Sequence, residues 1–415
     1  MSAVIELLVS RLQQQRLPIA DWFAREYAKT PPCFYSSVDL RHSGFKLVPV
    51  DTNLFPAGFN NLSKAARARA VSQVKDFISH ASRPIHSALL LPENHTRNIG
   101  YLDNLNALSG ILRAAGLEVQ IGSLAAESGQ PLLLEGSDGV SMTQYPLRRE
   151  GTKLMTDDGF TPDMIVVNND MTAGSPQILR GVTQLIAPQT GQGWYRRKKS
   201  IHFDAYEQVV HHFAQAFDLD PWMLSAHFHK CGLIDFHQRK GIECVALGVE
   251  KVLSKVRAKY AEYDIKDEPY VFIKADSGTY GMGIMTVRSG DEIYEMNKKN
   301  RNKMNVIKEG VQSTEVIIQE GVPTIDRVGD AIAEPMIYLM NGHAVGGAFR
   351  VNAERDQYGN LNAKGMHFAG MCDEAEAGAN AFHAVKDCDF TVYGLVSRLA
   401  TLAASREEYG EGYSI

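Results

Sequence analysis

The chain has 415 residues, a formal net charge of −5, and a composition of 44% hydrophobic and 22% charged residues. Such a length supports two or three domains with sizeable cores, and such a composition belongs to an ordinary soluble globular protein rather than a disordered one. The acidic balance excludes a polynucleotide scaffold, the four charges of Arg196-Arg197-Lys198-Lys199 are too few to imply one, and no apolar run approaches the length of a bilayer span. Five cysteines, Cys33, Cys231, Cys244, Cys372 and Cys388, are odd in number and lack paired spacing, which fits reduced thiols in a cytoplasmic protein. The opening stretch carries Glu6 among its apolar residues and lacks the pattern of a signal peptide.

Residues 3–28 carry a broken helical pattern interrupted by Pro18 and stopped by Pro31-Pro32. Phe34 to Leu40 reads as a strand, Arg41-His-Ser-Gly44 as a tight turn, and Phe45 to Val50 as a second strand. The next residues, Asp51-Thr-Asn53 through Asn61, are dense in carboxylate, amide and turn residues. Alone they read as a capped turn before a helix that opens at Ser63 and ends near His80. Then come a buried strand over 86–92, a helix over 101–115 and a strand over 116–122, an order that predicts an open parallel sheet. Such sheets bind ligands at the carboxyl ends of their strands. One end carries Glu93 to Asn98, with Arg97; another, after the strand Met164 to Val167, carries Asn168, Asn169 and Asp170. No Gly-x-Gly-x-x-Gly follows the strand 86–92, which disfavours a dinucleotide oxidoreductase.

The stretch 187–240 is mixed. Its His227-Phe-His229-Lys-Cys231 has spacing that a metal could use, but no fourth ligand lies nearby, so these read as packing or surface residues. Val245, Val249, Val252, Leu253, Val256 and Tyr260 predict an amphipathic helix. Lys266 to Pro269 then link into an apolar strand from Tyr270 to Lys274 and a loop holding Ser277, Gly278, Gly281 and Gly283. Residues without Cβ let successive N–H groups turn toward one anion, and the lysine adds a full positive charge: a phosphate cradle. The alternative is a glycine-containing hairpin without a ligand. A polar helix over 291–300 and a strand over 314–319 follow, the strand running into Glu320-Gly-Val322-Pro323. A hairpin over 333–340 and 343–350 turns on Asn341-Gly342. Arg350, Asn352, Asn360, Asn362 and Gly365 come next, and the last element is an apolar-striped helix from Val392 to Leu402.

Lys274 before the glycine loop, then Ile317-Ile-Gln-Glu320, then Ala348-Phe-Arg350, resemble the ATP-grasp ligases in that chain order. The resemblance implies that Lys274 and the backbone of Ser277, Gly278, Gly281 and Gly283 hold the triphosphate. It implies an adenine hinge at Gln319 to Val322, Glu320 included, and a ribose contact at Asp330 or Asp326. Arg350 then faces the γ-phosphate with Asn360 beside it, in a segment Tyr358-Gly-Asn360-Leu-Asn-Ala-Lys-Gly365 similar to bacterial glutathione synthetase. The closing element of that family, which holds its magnesium ions, is missing after Val392. Val38-Asp39 through Asp51-Thr-Asn53-Leu-Phe-Pro56-Ala-Gly58 resembles it near the other end of the chain, which implies a circular permutation. Asp39, Asp51 and Asn53 are then the Mg²⁺ ligands, with Mn²⁺ an alternative; two carboxylates and an amide carbonyl are the hard oxygens such ions take.

From Ser37 to Gly365 the chain resembles the proteobacterial-type glutamate–cysteine ligases of the ATP-grasp group. The resemblance implies an α/β (α+β) ATP-grasp fold with a Rossmann-like parallel-sheet substrate domain. Its parts would be an N-terminal helix and permuted hairpin (1–64), the substrate domain (65–200), a helical connector (201–264), the lid and glycine loop (265–323) and the rest of the core (324–415). It further implies that ATP activates the γ-carboxylate of L-glutamate as an acyl phosphate, which the amine of L-cysteine attacks, as the first step of glutathione biosynthesis. Arg350 and Lys274 are the expected catalytic residues. For the amino-acid substrates, chemistry alone selects Arg97, Asn168, Asn169, Asp170 and Arg197. No nucleic acid or membrane partner is expected, and homo-oligomerisation is left open. The competing readings are another ATP-grasp carboxylate–amine ligase and a non-catalytic nucleotide-binding regulator; an intact Asp39/Asp51/Asn53 set argues against the latter.

Overall fold

Alternation along the strands decides how the layers stack in the computed structural model, which describes residues 3–94, 98–137, 139–277, 283–304, 307–308, 311–312, 314–371, 389 and 391–407. Along the strand Ala331–Met340, Ile337 and Leu339 enter one core and Met336, Tyr338 and Met340 enter another, as a period of two requires. The first core is closed by the helices Ala3–Gln14, Arg16–Lys29, Lys199–Phe217 and Val392–Ala404. The second is closed by Lys64–Ser79 and Ile99–Ala114.

That strand lies at the centre of an antiparallel sheet ordered His367–Gly370, His343–Asn352, Ala331–Met340, Tyr35–His42, Leu47–Asn53. The predicted Asn341-Gly342 turn is present, with φ of 50° and 76°, the two left-handed residues that a tight hairpin needs. Tyr35–His42 pairs with Ala331–Met340 through Ser37↔Tyr338 and Asp39↔Met336, so an early hairpin completes a sheet begun hundreds of residues later. The turn expected at Arg41 is strand, and Asp51 to Asn53 continue the second strand rather than opening a loop.

The open parallel sheet is also present. Its order is Leu132–Glu135, Ser141–Glu150, Glu118–Ser123, Ser87–Pro92, Met164–Asn168, Leu185–Ala187, parallel except at the Leu132–Glu135 edge and where Lys153–Thr156 folds back antiparallel on Ser141–Glu150. Ala88 and Leu90 face the helical layer, and Leu89 and Leu91 face a separate core with Leu54 and Phe55. A third sheet, Phe228–Cys231, Val316–Glu320, Val271–Ala275, Met285–Val287, packs Val271, Ile273 and Ile318 against the helix Ile242–Glu262.

Local chemistry explains several boundaries. Ser63 caps the helix Lys64–Ser79, its hydroxyl accepting from the Ala66 N–H at 3.1 Å. Pro18 breaks nothing: it sits in the first turn of Arg16–Lys29, where a missing N–H costs no intrahelical bond, and the break falls at Gln15. The helix Lys199–Phe217, inside the stretch read as mixed, buries Phe203, Tyr206, Val209, Val210, Phe213 and Phe217 at helical spacing. Among the described residues no helix is long and apolar enough to cross a membrane.

Candidate active site

Val38 and Leu40 enter the helical core, so the alternate residues Ser37, Asp39 and Arg41 turn the other way, into a cavity of about 310 Å³. Each of the surrounding strands adds polar groups to it by the same rule. Leu47–Asn53 contributes Asp51 and Asn53, Val271–Ala275 contributes Lys274, Ala331–Met340 contributes Glu334, and His343–Asn352 contributes Arg350. Asp170, Trp194, Lys199, Asn360 and Asn362 reach it from loops and a helix start.

The charges are paired across this cavity. Arg350 Nη1 donates to Asp39 Oδ2 at 2.7 Å and to Glu334 Oε1 at 2.6 Å, while its buried Nε has no partner. Arg41 Nε donates to Glu334 Oε2 at 3.1 Å, and its Nη1 to the Val322 and Gln357 carbonyls at 3.3 Å each. Lys199 Nζ donates to Asp51 Oδ1 at 2.6 Å and lies 4.8 Å from the Trp194 ring centroid. Lys274 Nζ donates to Gln319 Oε1 at 2.8 Å and the Val50 carbonyl at 3.2 Å. The buried Gln319 Nε2 has no partner.

One feature of this arrangement is costly in itself. Asp39 and Asp51 stand directly opposite each other in the strand register, a destabilising position for like charges. Asp39 is correspondingly held above the usual carboxylate range, by burial first and then by Glu334 and Asp51, against the pull of Arg350. Burial also acts to raise Asp51, but Lys199, Lys274 and Arg197 outweigh it and bring its pKa down to about 2; its side chain is 42% exposed. Glu334 is lowered, burial being overcome by Arg41 and Arg350. Lys274 is pushed down to about 8, by burial first and then by Lys199.

Of the residues selected from sequence, Asp39, Asp51, Asn53, Asp170, Lys274, Arg350 and Asn360 line this one cavity. Ser277 is paired to Lys198 beside it, and Gly283 follows with φ 63°. Gly278, Gly281 and Arg97 lie outside the described residues. Glu320 is consumed by a fully buried ion pair with Lys46 at 2.7 Å, and the Val322 carbonyl by Arg41. Asp326 accepts from the Tyr393 hydroxyl, and Asp330 borders a separate cavity with Tyr358 and His367. Asn168 bonds Tyr35, Pro56 and Asn104, and Asn169 bonds Pro92 and Met171. Arg197 is 1% exposed; it donates to the Thr52 carbonyl and, at 2.6 to 3.1 Å, to Glu407. It therefore braces the strand between Asp51 and Asn53. Arg41, Glu334 and Lys199 escaped the sequence reading. The signal for Arg41 is its i+2 spacing from Asp39; from the basic run around Lys199, chemistry selects Arg197 for a substrate carboxylate and passes over its neighbour Lys199.

A divalent cation is implied by the ATP-grasp resemblance. Among the described residues no group of three or more His, Cys, Asp or Glu side chains is gathered closely enough to hold a metal. Two opposed carboxylates and the Asn53 amide at the cavity wall are nevertheless the hard-oxygen donors such an ion takes alongside phosphate oxygens and water. The residues present fit the group.

A comparison with curated proteins finds none that matches. The family described as glutamate-cysteine ligase matches residues 10–408. A solved structure assigned as a gamma-glutamylcysteine synthetase from Methylobacillus flagellatus KT superposes with a TM-score of 0.87 at 44% identity, covering 98% of this chain and 97% of its own. A D-alanyl-alanine synthetase A from Vibrio cholerae O1 biovar eltor gives a TM-score of 0.31 at 11% identity, over 65% of this chain and 68% of its own. A glutathione synthetase-like effector from Globodera pallida gives 0.33 at 10% identity, over 88% and 80%. Neither of these two bears on the fold at such distance. By the family match and the 44% identity across nearly the whole length, this mixed α/β chain belongs to the glutamate-cysteine ligase family, enzymes that join glutamate to cysteine.

Proposed function

We propose that the cavity between the three sheets is where ATP activates the γ-carboxylate of L-glutamate as an acyl phosphate and where the amine of L-cysteine displaces that phosphate. One observation carries this reading: Lys274, Lys199 and Arg350 converge with Asp39 and Asp51 on the same 310 Å³ space. A carboxylate is a poor acyl donor. Phosphoryl transfer needs mainly positioning and neutralisation of the moving charge, which clustered cations in a low-dielectric cavity supply. Lys274 and Lys199 would meet the phosphate oxygens, and Arg350, fixed between Asp39 and Glu334, the transferring group, with Asn360 beside it. Ser277, Gly278, Gly281 and Gly283 would close over the phosphates. We assign the adenine edge to Gln319 to Val322 and the ribose to Asp330. Asp39, Asp51 and Asn53 would hold Mg²⁺ or Mn²⁺, which supplies neutralisation of the phosphate oxygens when bound.

Asp170 at the cavity wall suits a substrate α-ammonium and Arg97 an α-carboxylate. Asn168, Asn169 and Arg197 would act by holding the strand ends that present them.

We read the fold as an ATP-grasp core whose last hairpin has become its first. The pairing of Tyr35–His42 with Ala331–Met340 supports that reading, since the hairpin occupies the sheet of the C-terminal strands. The division into units of 1–64, 65–200, 201–264, 265–323 and 324–415 is kept, with Phe228–Cys231 of the third unit joined to the sheet of the fourth.

The test is transfer of a heavy-oxygen label from the γ-carboxylate of glutamate into inorganic phosphate during turnover. Label in phosphate is expected; its absence overturns the acyl phosphate. Asp51→Asn is expected to cut turnover by about 100-fold, the upper range for disturbing a metal shell, with an unchanged circular dichroism spectrum. Near-normal turnover would remove Asp51 from the site.

A further inference from the structure

We infer that Cys231 and Cys244 form a thiol pair that small-molecule disulfides convert to an intramolecular disulfide. The pair lies outside the catalytic cavity, whose lining includes neither cysteine. Cys231 ends the edge strand Phe228–Cys231 and is buried; Cys244 lies in the first turn of the helix Ile242–Glu262 and is exposed. Their sulfurs stand 2.9 Å apart across 13 residues of chain, and the Cys231 thiol donates to the Cys244 carbonyl at 3.2 Å. A disulfide bond is about 2.05 Å long, so the two sulfurs need approach by less than an ångström.

The packing holds them there. A Cβ at Gly248 would stand 2.6 Å from Ile318, 2.7 Å from His229 and 3.5 Å from the Cys231 sulfur, so the missing side chain lets helix and strand meet closely. His229 on the same strand face makes a metal the competing use of these thiols, but the described residues hold no such ligand group. Cys33, by contrast, is buried, its sulfur 3.3 Å from the Ser405 hydroxyl and accepting from the Gln192 amide at 3.6 Å.

The roles of the two sulfurs differ. Cys244 is the sulfur an outside reagent can reach. Burial, and then Cys244 itself, push the Cys231 thiol up to about 12, so it stays protonated until its neighbour has reacted. In the first step the Cys244 sulfur attacks one sulfur of a disulfide R–S–S–R; a Cys244–S–S–R bond forms, the S–S bond of the reagent breaks, and the proton of Cys244 leaves with the departing thiol. In the second, the Cys231 sulfur attacks the Cys244 sulfur, the bond to R breaks, and the proton of Cys231 leaves with the second thiol. Two protein thiols are oxidised and one disulfide is reduced to two thiols.

The experiment treats the full chain with glutathione disulfide, quenches with acid and iodoacetamide, and maps peptides without reduction. The expected product has lost two hydrogen masses, retains no adduct at either residue, and yields a 231–244 cross-linked peptide that dithiothreitol releases. Cys231→Ser is expected to trap a stable glutathione adduct on Cys244. Cys244→Ser, a change at an exposed position, is expected to leave Cys231 unmodified with an unchanged thermal midpoint. A wild-type protein that keeps the adduct on Cys244 without cross-linking, or whose Cys244 is still fully alkylated after treatment, overturns the proposal.

Discussion

Raising the pH from 7 to 9 is expected to weaken nucleotide binding by roughly tenfold, through one side chain. Lys274 is 9% exposed and gives its hydrogen bonds to Gln319 and the Val50 carbonyl. Burial, and then the neighbouring Lys199, bring its pKa from 10.5 down to about 8, despite Asp51 and Glu334. About nine-tenths of the amine is charged at pH 7 and about one-tenth at pH 9, so a ligand that needs the charge loses about a factor of ten. The folded protein meanwhile moves in the opposite sense. Between pH 8 and 10.5 the unfolded chain binds more protons at this lysine, so stability rises with pH there; below 8 the buried charge costs on the order of 3 kcal/mol. An arriving phosphate offsets that cost, which couples affinity to the lowered pKa. Calorimetric titration with ADP at pH 7, 8 and 9, without divalent ions, measures the first effect, and thermal unfolding the second. Lys274→Arg keeps its charge throughout and is expected to flatten the affinity profile. Lys46 is also brought to about 8, but it is fully buried against Glu320 and does not line the cavity. A wild-type affinity that changes less than about twofold, or an unaltered slope in Lys274→Arg, would refute the assignment of Lys274 to the phosphates.

Lys46→Met is expected to destabilise the fold by about 3–5 kcal/mol in urea unfolding, because it strands the fully buried Glu320. Adding Glu320→Gln is expected to recover part of that loss, since an amide oxygen still accepts from the His227 N–H; a single-variant loss under about 1 kcal/mol contradicts the buried pair. Gly321→Ala puts a Cβ 2.2 Å from the Tyr270 ring, and overpacking of this kind costs about 1–3 kcal/mol. It is expected to raise the KM for ATP more than that for glutamate, and equal effects on both would detach residues 319–322 from the nucleotide.

The line between what the sequence disclosed and what it hid follows physical scale. Asp39, Asp51, Asn53, Lys274 and Arg350 were singled out through the resemblance to the ATP-grasp order, since Asp51-Thr-Asn53 alone reads as a capped turn; the structure brings all five to one cavity. The strands behind them were legible locally: alternation needs only neighbours. Glu334 and Arg41 were not, because their meaning is an ion pair between strands 293 residues apart. Lys199 needed the start of the helix Lys199–Phe217, whose aromatic periodicity was present but obscured by the basic run before it. The strand Leu132–Glu135 is only four residues long with Leu133 and Glu135 exposed, and Ser141–Glu150 alternates buried Met142, Gln144 and Pro146 with half-buried residues, so neither shows the apolar run of a core strand. Cys231 and Cys244 belong to a strand and a helix that only tertiary packing brings together.

The position of Tyr35–His42 in the central sheet also dictates when the active centre can exist during synthesis. On the ribosome this hairpin is made early, yet one of its two sheet neighbours, Ala331–Met340, is made hundreds of codons later. Until then Asp39 lacks Arg350, and Val38 and Leu40 lack the helix Val392–Ala404 that covers them. The brace on Thr52 waits longer still, for Glu407 to steady Arg197. Pairings this distant in sequence form slowly, and a strand left with a bare edge and apolar side chains is prone to join other chains in the interval. The nascent polypeptide thus carries Asp39, Asp51 and Asn53 on an unfinished surface for most of its elongation.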